Sequence, residues 1–133
     1  MAKTLKGKGE IMYDFKYDIL TIRMKDRNYS RSLKFRNFVA DIDDKDYITG
    51  VRIFDASKVF DADKYILKKI YHADFSASVD DKHIVVELKF VSRYRNKILP
   101  LISDSKNFIS NFSADVKSHM KLINSTTECK IEA

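Results

Sequence analysis

With 133 residues, 44% of them apolar and 33% charged, the chain has the length and composition of one folded domain, and no run approaches the roughly 18 apolar residues of a membrane helix. The net charge of +6 is uneven: 10 basic and 4 acidic residues fall between Met1 and Arg36, but 3 and 7 between Asn37 and Asp63. The single cysteine, Cys129, excludes an intrachain disulfide and a Cys-x-x-Cys metal knuckle, and the basic stretch Met1 to Glu10 lacks the apolar core of a secretory signal, so a soluble cytoplasmic protein is expected.

Ile11 to Phe15 and Asp18 to Lys25 read as a tight hairpin, because Leu20, Ile22 and Met24 alternate with Thr21, Arg23 and Lys25 at the strand period of two. Asp26, Arg27 and Asn28 end that strand. Leu33 to Asp43 reads as the next, with its apolar set passing from odd positions (Leu33, Phe35) to even ones (Phe38, Ala40, Ile42), which predicts a β-bulge near Arg36 and Asn37. After an acidic turn at Asp43 to Asp46, Ile48 to Phe54 returns as a strand, with Gly50 where backbones approach closely. Val59, Phe60, Ile66, Leu67 and Ile70 then fall at helical spacings, predicting a helix near Ser57 to Ile70 with a break around Asp61.

A second hairpin follows, since Tyr71, Ala73, Phe75, Ala77 and Val79 alternate with polar residues, and after the turn at Asp80 to Lys82 Ile84, Val86, Leu88 and Phe90 alternate with Val85, Glu87, Lys89 and Val91. Ile98 to Ile102, around Pro100, reads as an edge or irregular segment. Ser103 or Asp104 is placed to cap a short helix carrying Phe108, Ile109 and Phe112, and Ala114 to Leu122 fits helix better than strand. The expected architecture is therefore α+β: antiparallel hairpins with a central helix and a partly helical C-terminal segment. Its parts are a basic extension (residues 1–10), a single α+β domain (11–123) and a fraying tail (124–133).

The run Tyr13-Asp14-Phe15-Lys16-Tyr17-Asp18-Ile19-Leu20-Thr21-Ile22 resembles the opening of the YuzE-like family of small proteins of unknown function. Asp41 to Asp43, Ile48 to Gly50 and Ile53-Phe54-Asp55-Ala56-Ser57 resemble that family's closing segment, so the likeness spans roughly residues 11–60. It implies a compact β-meander followed by a helix, no established activity, and an antitoxin-like or partner-binding role. Asp14 and Asp18 also have a local explanation, as carboxylates accepting hydrogen bonds from turn N–H groups.

Chemical sites are sparse in the sequence. Asp41, Asp43, Asp44 and Asp46 invite a calcium loop, but counting from Asp41 the fifth, sixth and twelfth places hold Lys45, Asp46 and Arg52, so a solvated acidic turn is expected instead. His72, His83 and His119 are not placed to converge, and no Gly-rich phosphate loop or nucleophile elbow is present. No catalytic residue, metal ligand or cofactor is assigned, and a hydrolase or nuclease would lack an identifiable site. Two binding readings remain. The first is a non-enzymatic interaction module that associates with itself, as a dimer, or with a protein partner through exposed sheet edges. The alternative is nucleic-acid binding through two basic stretches, Arg23, Lys25, Arg27, Arg31 and Arg36, and Arg93, Tyr94, Arg95 and Lys97.

Overall fold

The computed structural model describes residues 3–36, 38–95, 103–117 and 120–132. Its strands are β1 (Lys3–Asp14), β2 (Ile19–Met24), β3 (Tyr29–Lys34), β4 (Val39–Asp43), β5 (Ile48–Phe54), β6 (Ile70–Val79), β7 (His83–Arg95), β8 (Ser103–Asp115) and β9 (Ser125–Glu132). Two single-turn helices, α1 (Ala56–Val59) and α2 (Lys64–Leu67), connect β5 to β6. The strands form one mixed sheet in the order β3-β4-β5-β2-β1-β9-β6-β7-β8, in which β1 and β9 are the parallel pair.

β1 holds the sheet together by changing partners halfway along. Lys3 to Lys8 pair with Ser125 to Lys130 of β9, whereas Gly9 to Asp14 pair antiparallel with β2. The change falls at Gly9, where a Cβ would overlap the Cys129 sulfur and come within 2.7 Å of the Arg23 carbonyl oxygen; only glycine lets the two half-sheets approach this closely. The sheet curls so that both halves face one core. Phe38, just before β4, meets Phe112 of β8 with ring centroids 5.7 Å apart, and Phe60 packs edge-on against Phe90 of β7 at 4.9 Å.

The inward positions follow the period-two alternation that defines the strands: Leu20 and Ile22 on β2, Ala73, Phe75 and Ala77 on β6, Ile84, Val86 and Leu88 on β7, all essentially without solvent contact. Turns are made in an unusual way. Asp18, Asp26, Asp46, Asp55 and Asp61 all take left-handed backbone conformations, while none of the glycines does. Aspartate tolerates this region better than most residues because its short side chain bonds locally, which leaves glycine for places where backbones must touch. Gly50 is another such place, as expected, with the site of a Cβ 2.8 Å from the Ile22 carbonyl oxygen.

The two hairpins read from alternation are present as β1–β2 and β6–β7, but the α+β class is not: the protein is mostly β, and its helices are four residues each. The central helix expected over Ser57 to Ile70 splits because Asp61 turns left-handed and Asp63 starts a fresh turn, its carboxylate accepting from the Tyr65 N–H at 2.8 Å. The helical C-terminal segment is instead β8. Phe108 and Phe112, four residues apart, share a face in either structure, but Ile109 between them is 65% exposed, as a strand requires. The segment expected to fray contains β9, an interior strand whose Ser125, Thr127, Cys129 and Ile131 are all buried. The basic extension is likewise mostly the first part of β1. Nor is there a bulge at Arg36: the parity shift is a hairpin turn, closed by the Phe35 N–H on the Phe38 carbonyl at 2.9 Å, that makes β3 and β4 separate strands. The readings made for Asn37, for Lys97 and for the segment around Pro100 lie outside the described residues. No helix among the described residues is long and apolar enough to cross a membrane.

Candidate functional site

The curled sheet has two outer edges, β3 and β8, and a groove of about 810 Å³ runs where they come near each other. Lys34, Phe35, Arg36 and Phe38 line one side, Ser110, Asn111 and Phe112 of β8 the other, and Phe54, Asp55 and Val59 contribute from the end of β5 and α1. Phe54 and Val59 are 45% and 43% exposed. The sequence held a signal for Phe54: it follows the inward Ile53, so in a strand it must point away from the core.

The two edges differ in how they are guarded. β3 is short, carries Arg31 and Lys34, and has an irregular register between Tyr29 and Arg31. Arg31 donates to Asp46 at 2.9 Å and to the carbonyls of Met120 and Lys121 at 2.8 and 3.0 Å, so the segment after β8 covers part of this edge. Among the described residues β8 pairs only with β7, and it has no charged residue from Phe108 to Ala114. Charges, bulges and covering segments are the ordinary means of keeping a sheet edge from adding another strand. β3 has all three, and β8 from Ile109 to Ala114 has none among the described residues.

A buried carboxylate positions the groove's α1 side. Asp18, at the β1–β2 turn, accepts from the Tyr13 hydroxyl at 2.6 Å, the Ser57 hydroxyl at 2.6 Å and the Ser57 N–H at 3.0 Å, while its own carbonyl takes the Ala56 N–H. The first N–H groups of α1, which no helix can satisfy internally, are thus satisfied from a turn 39 residues away. Burial pushes the Asp18 carboxyl up, but the Ser57 and Tyr13 hydrogen bonds and nearby Lys64 outweigh it and hold the group below the usual carboxylate range. Burial, with the bond to Asp18, raises Tyr13 in turn. The pair is therefore fixed as phenol and carboxylate, an arrangement suited to holding a turn. Asp14 does what the local reading expected, accepting from the Tyr17 N–H at 3.0 Å; Asp18 does not.

The acidic turn is solvated as expected at Asp44 and in part at Asp46, but not at Asp41 and Asp43. Asp43 is fully buried, accepting from the Lys45 and Tyr47 N–H groups at 3.0 and 2.9 Å and from the Arg27 guanidinium, and Asp41 bonds Arg52 and Ser32 at 2.8 Å. No metal-binding cluster of these side chains forms among the described residues. The first basic stretch is drawn into the same web: Arg23 pairs with Glu10, Arg27 with Asp43 and Arg31 with Asp46, while Lys25 is exposed and Arg36 lines the groove. From the second stretch, Arg93 lies over the Tyr71 ring at 4.4 Å; Tyr94 and Arg95 are placed only as backbone of β7. His72 and His83 sit near opposite ends of the β6–β7 hairpin, beside Asp74 and Asp115. His119 lies outside the described residues. Burial, and then the charge of Asp74, pushes the Cys129 thiol up to about 11, which keeps it protonated and unreactive.

No solved structure matches the chain. A protein of Methanosarcina mazei named "Putative hypoxanthine phosphoribosyltransferase" is 28% identical over 87 residues, 65% of this chain and 71% of that one. "Uncharacterized protein MJ0789" of Methanocaldococcus jannaschii is 26% identical over 91 residues, 68% of this chain and 78% of its own length. Residues 10–57 match the family described as "Protein of unknown function (DUF2283)". This match runs from Glu10, the partner of Arg23, to Ser57, the partner of Asp18, so the part of the chain similar to a domain of unknown function is the part wired by carboxylates, two of them, Asp18 and Asp43, buried.

Proposed function

We propose that the protein is a non-enzymatic binding module that accepts an extended segment of a protein partner along the free edge of β8. The observation that carries this reading is the strand beside the groove: among the described residues no second strand pairs with β8 from Ile109 to Ala114 on the side away from β7, and Phe35, Phe54 and Val59 offer apolar surface to alternate side chains of an added strand. Lys34 and Arg36 on the facing wall have no carboxylate partner among the described residues, against the single Asp55, which favours a segment alternating apolar with acidic residues. The antitoxin-like role implied by the YuzE-like resemblance is one instance of such binding.

The phosphoribosyltransferase name of the Methanosarcina mazei relative supports an enzymatic reading less well. The phosphate of a bound phosphoribosyl group is commonly cradled by backbone N–H groups of a Gly-rich loop at a helix start, and the three glycines of this chain lie within β1 and β5.

The test is a titration of the isotope-labelled protein with a short synthetic peptide alternating Val and Glu. Amide signals of Ser110 to Phe112 and of Lys34 to Phe35 should shift. Asn111→Arg, which fills the groove, should abolish the shifts without unfolding the chain, and a Val/Lys peptide should bind at least about tenfold more weakly, a difference of about 1.4 kcal/mol. Shifts confined to other surfaces, or none at millimolar peptide, would overturn the proposal. Light scattering supplies a further arm: a mass of twice the 15.5 kDa chain, lost in Asn111→Arg, would make the occupant a second copy and not another protein.

A further inference from the structure

Away from the groove, the β1–β2 turn and α2 bring together three exposed aromatic rings and three lysines. Each segment is held from beneath by its own carboxylate: Asp14 takes the Tyr17 N–H at 3.0 Å and Asp63 the Tyr65 N–H at 2.8 Å. These acids are spent on backbone, and the side chains between them point outward. The rings of Phe15 and Tyr65 lie 5.2 Å apart, and the Lys64 ammonium donates to the Phe15 carbonyl at 3.3 Å, tying turn to helix. Lys64 and Lys68 stand 5.5 and 5.0 Å from the centre of the Phe15 ring, and Lys16 stands 5.2 Å from that of Tyr17. Tyr17 and Tyr65 are 64% and 66% exposed.

Two features separate this cluster from ordinary surface. Arg23, Arg27, Arg31 and Arg52 are each neutralised by a carboxylate, whereas Lys16, Lys64 and Lys68 have no ion pair among the described residues. Lys34 and Arg36 of the groove share that lack of an ion pair, but these three lysines are the ones that also stand beside exposed rings. The surface also continues: the carbonyl of Lys69, next to Lys68, accepts the Arg93 N–H at 3.0 Å, which brings the stacked Arg93 and Tyr71 alongside. Thus one residue of the second basic stretch falls in with residues from two segments that the chain alone kept apart.

We infer that this patch binds single-stranded nucleic acid. Exposed tyrosine faces stack on unpaired bases of any sequence, and lysines set among them meet the phosphates, the combination by which sequence-tolerant single-strand binding works. A duplex hides its base faces, and an acidic peptide would use the lysines but leave the rings idle.

The experiment is fluorescence anisotropy of labelled oligothymidylate and oligouridylate with the full chain. Tyr17→Ala and Tyr65→Ala remove exposed rings and should leave the thermal midpoint unchanged, while each weakens binding about 5- to 140-fold. Raising salt from about 50 to 200 mM should cost about 20- to 130-fold for three to five phosphates contacted. Arg36→Glu, in the groove, should change the affinity less than about twofold, about 0.4 kcal/mol in free energy, which keeps this test separate from that of β8. Absence of an anisotropy change on oligonucleotide at about 100 μM protein, the weak end of the usual non-specific range, would overturn the inference. So would binding that survives both tyrosine substitutions, equal binding of polyphosphate, which has no rings to stack, or preference for polyglutamate.

Discussion

The two halves of the sheet are held in different ways. In the half built from β1 to β5, each acidic side chain with a structural role reaches a specific partner: Asp18 to Tyr13 and Ser57, Asp41 to Arg52, Asp43 to Arg27, Asp46 to Arg31. In the half built from β6 to β9 the inward faces are apolar or small, and its ion pairs among the described residues, Lys89 with Glu87, Glu128 with Lys6 of β1 and the two His–Asp contacts, lie on its surface. A surface pair contributes little, whereas a buried one is costly to break. Stability in the first half should therefore answer to charge and pH, and in the second to volume.

The largest effect is expected at Asp43. Asp43→Ala takes from the Lys45 and Tyr47 N–H groups and the Arg27 guanidinium the fully buried carboxylate that accepts from all three, and should cost about 3–5 kcal/mol in urea denaturation. Conversely, Glu87→Ala on the other half should stay within about 0.5 kcal/mol. Equal losses would erase the distinction between the halves.

Asp18 is next. Asp18→Asn keeps the shape but offers Ser57 a donor where it needs an acceptor, and should cost about 1–3 kcal/mol at neutral pH. Because the folded state holds the Asp18 carboxyl below its unfolded value, its contribution is fully present above that unfolded value, near 4, and is lost as pH falls through the folded one. The acid limb of the stability profile should be shallower in Asp18→Asn than in the parent, and an unchanged slope would remove Asp18 from the acid response.

The same contrast explains what could be read from the chain. β6 and β7 were legible because Tyr71 to Val79 and Ile84 to Phe90 alternate without a break, and alternation is a property of the strand alone. β9 was not, because three of its four inward positions are Ser125, Thr127 and Cys129, which carry little apolar signal while pairing strands on both sides supplies the burial. β8 was misread because a four-residue spacing fits both periods. In the first half the carboxylates were visible, but their partners were not: Asp18 and Ser57 are 39 residues apart, and Arg23 meets Glu10 only through the register of β1 on β2. The arginines therefore read as a free basic face until cross-strand neighbours were known, and the lysine and aromatic patch was invisible because its two segments meet only in the folded chain.

The smallest effect carries the opposite sign. Thr127 is fully buried on β9, between Leu5 of β1 and Ala77 of β6, and its hydroxyl has no hydrogen-bond partner among the described residues. A buried hydroxyl without a partner keeps its desolvation cost and gains nothing in return. Thr127→Val holds nearly the same volume and strand preference, so it should be neutral or stabilise by up to about 1 kcal/mol, read as a raised urea midpoint with unchanged slope. At Ser32 in the first half, whose hydroxyl binds Asp41 at 2.8 Å, the same kind of deletion, Ser32→Ala, should destabilise by a similar amount, about 1 kcal/mol. The pair of signs is the sharpest form of the comparison, because a half-sheet that depends on volume tolerates losing a polar atom, and one that depends on specific partners does not.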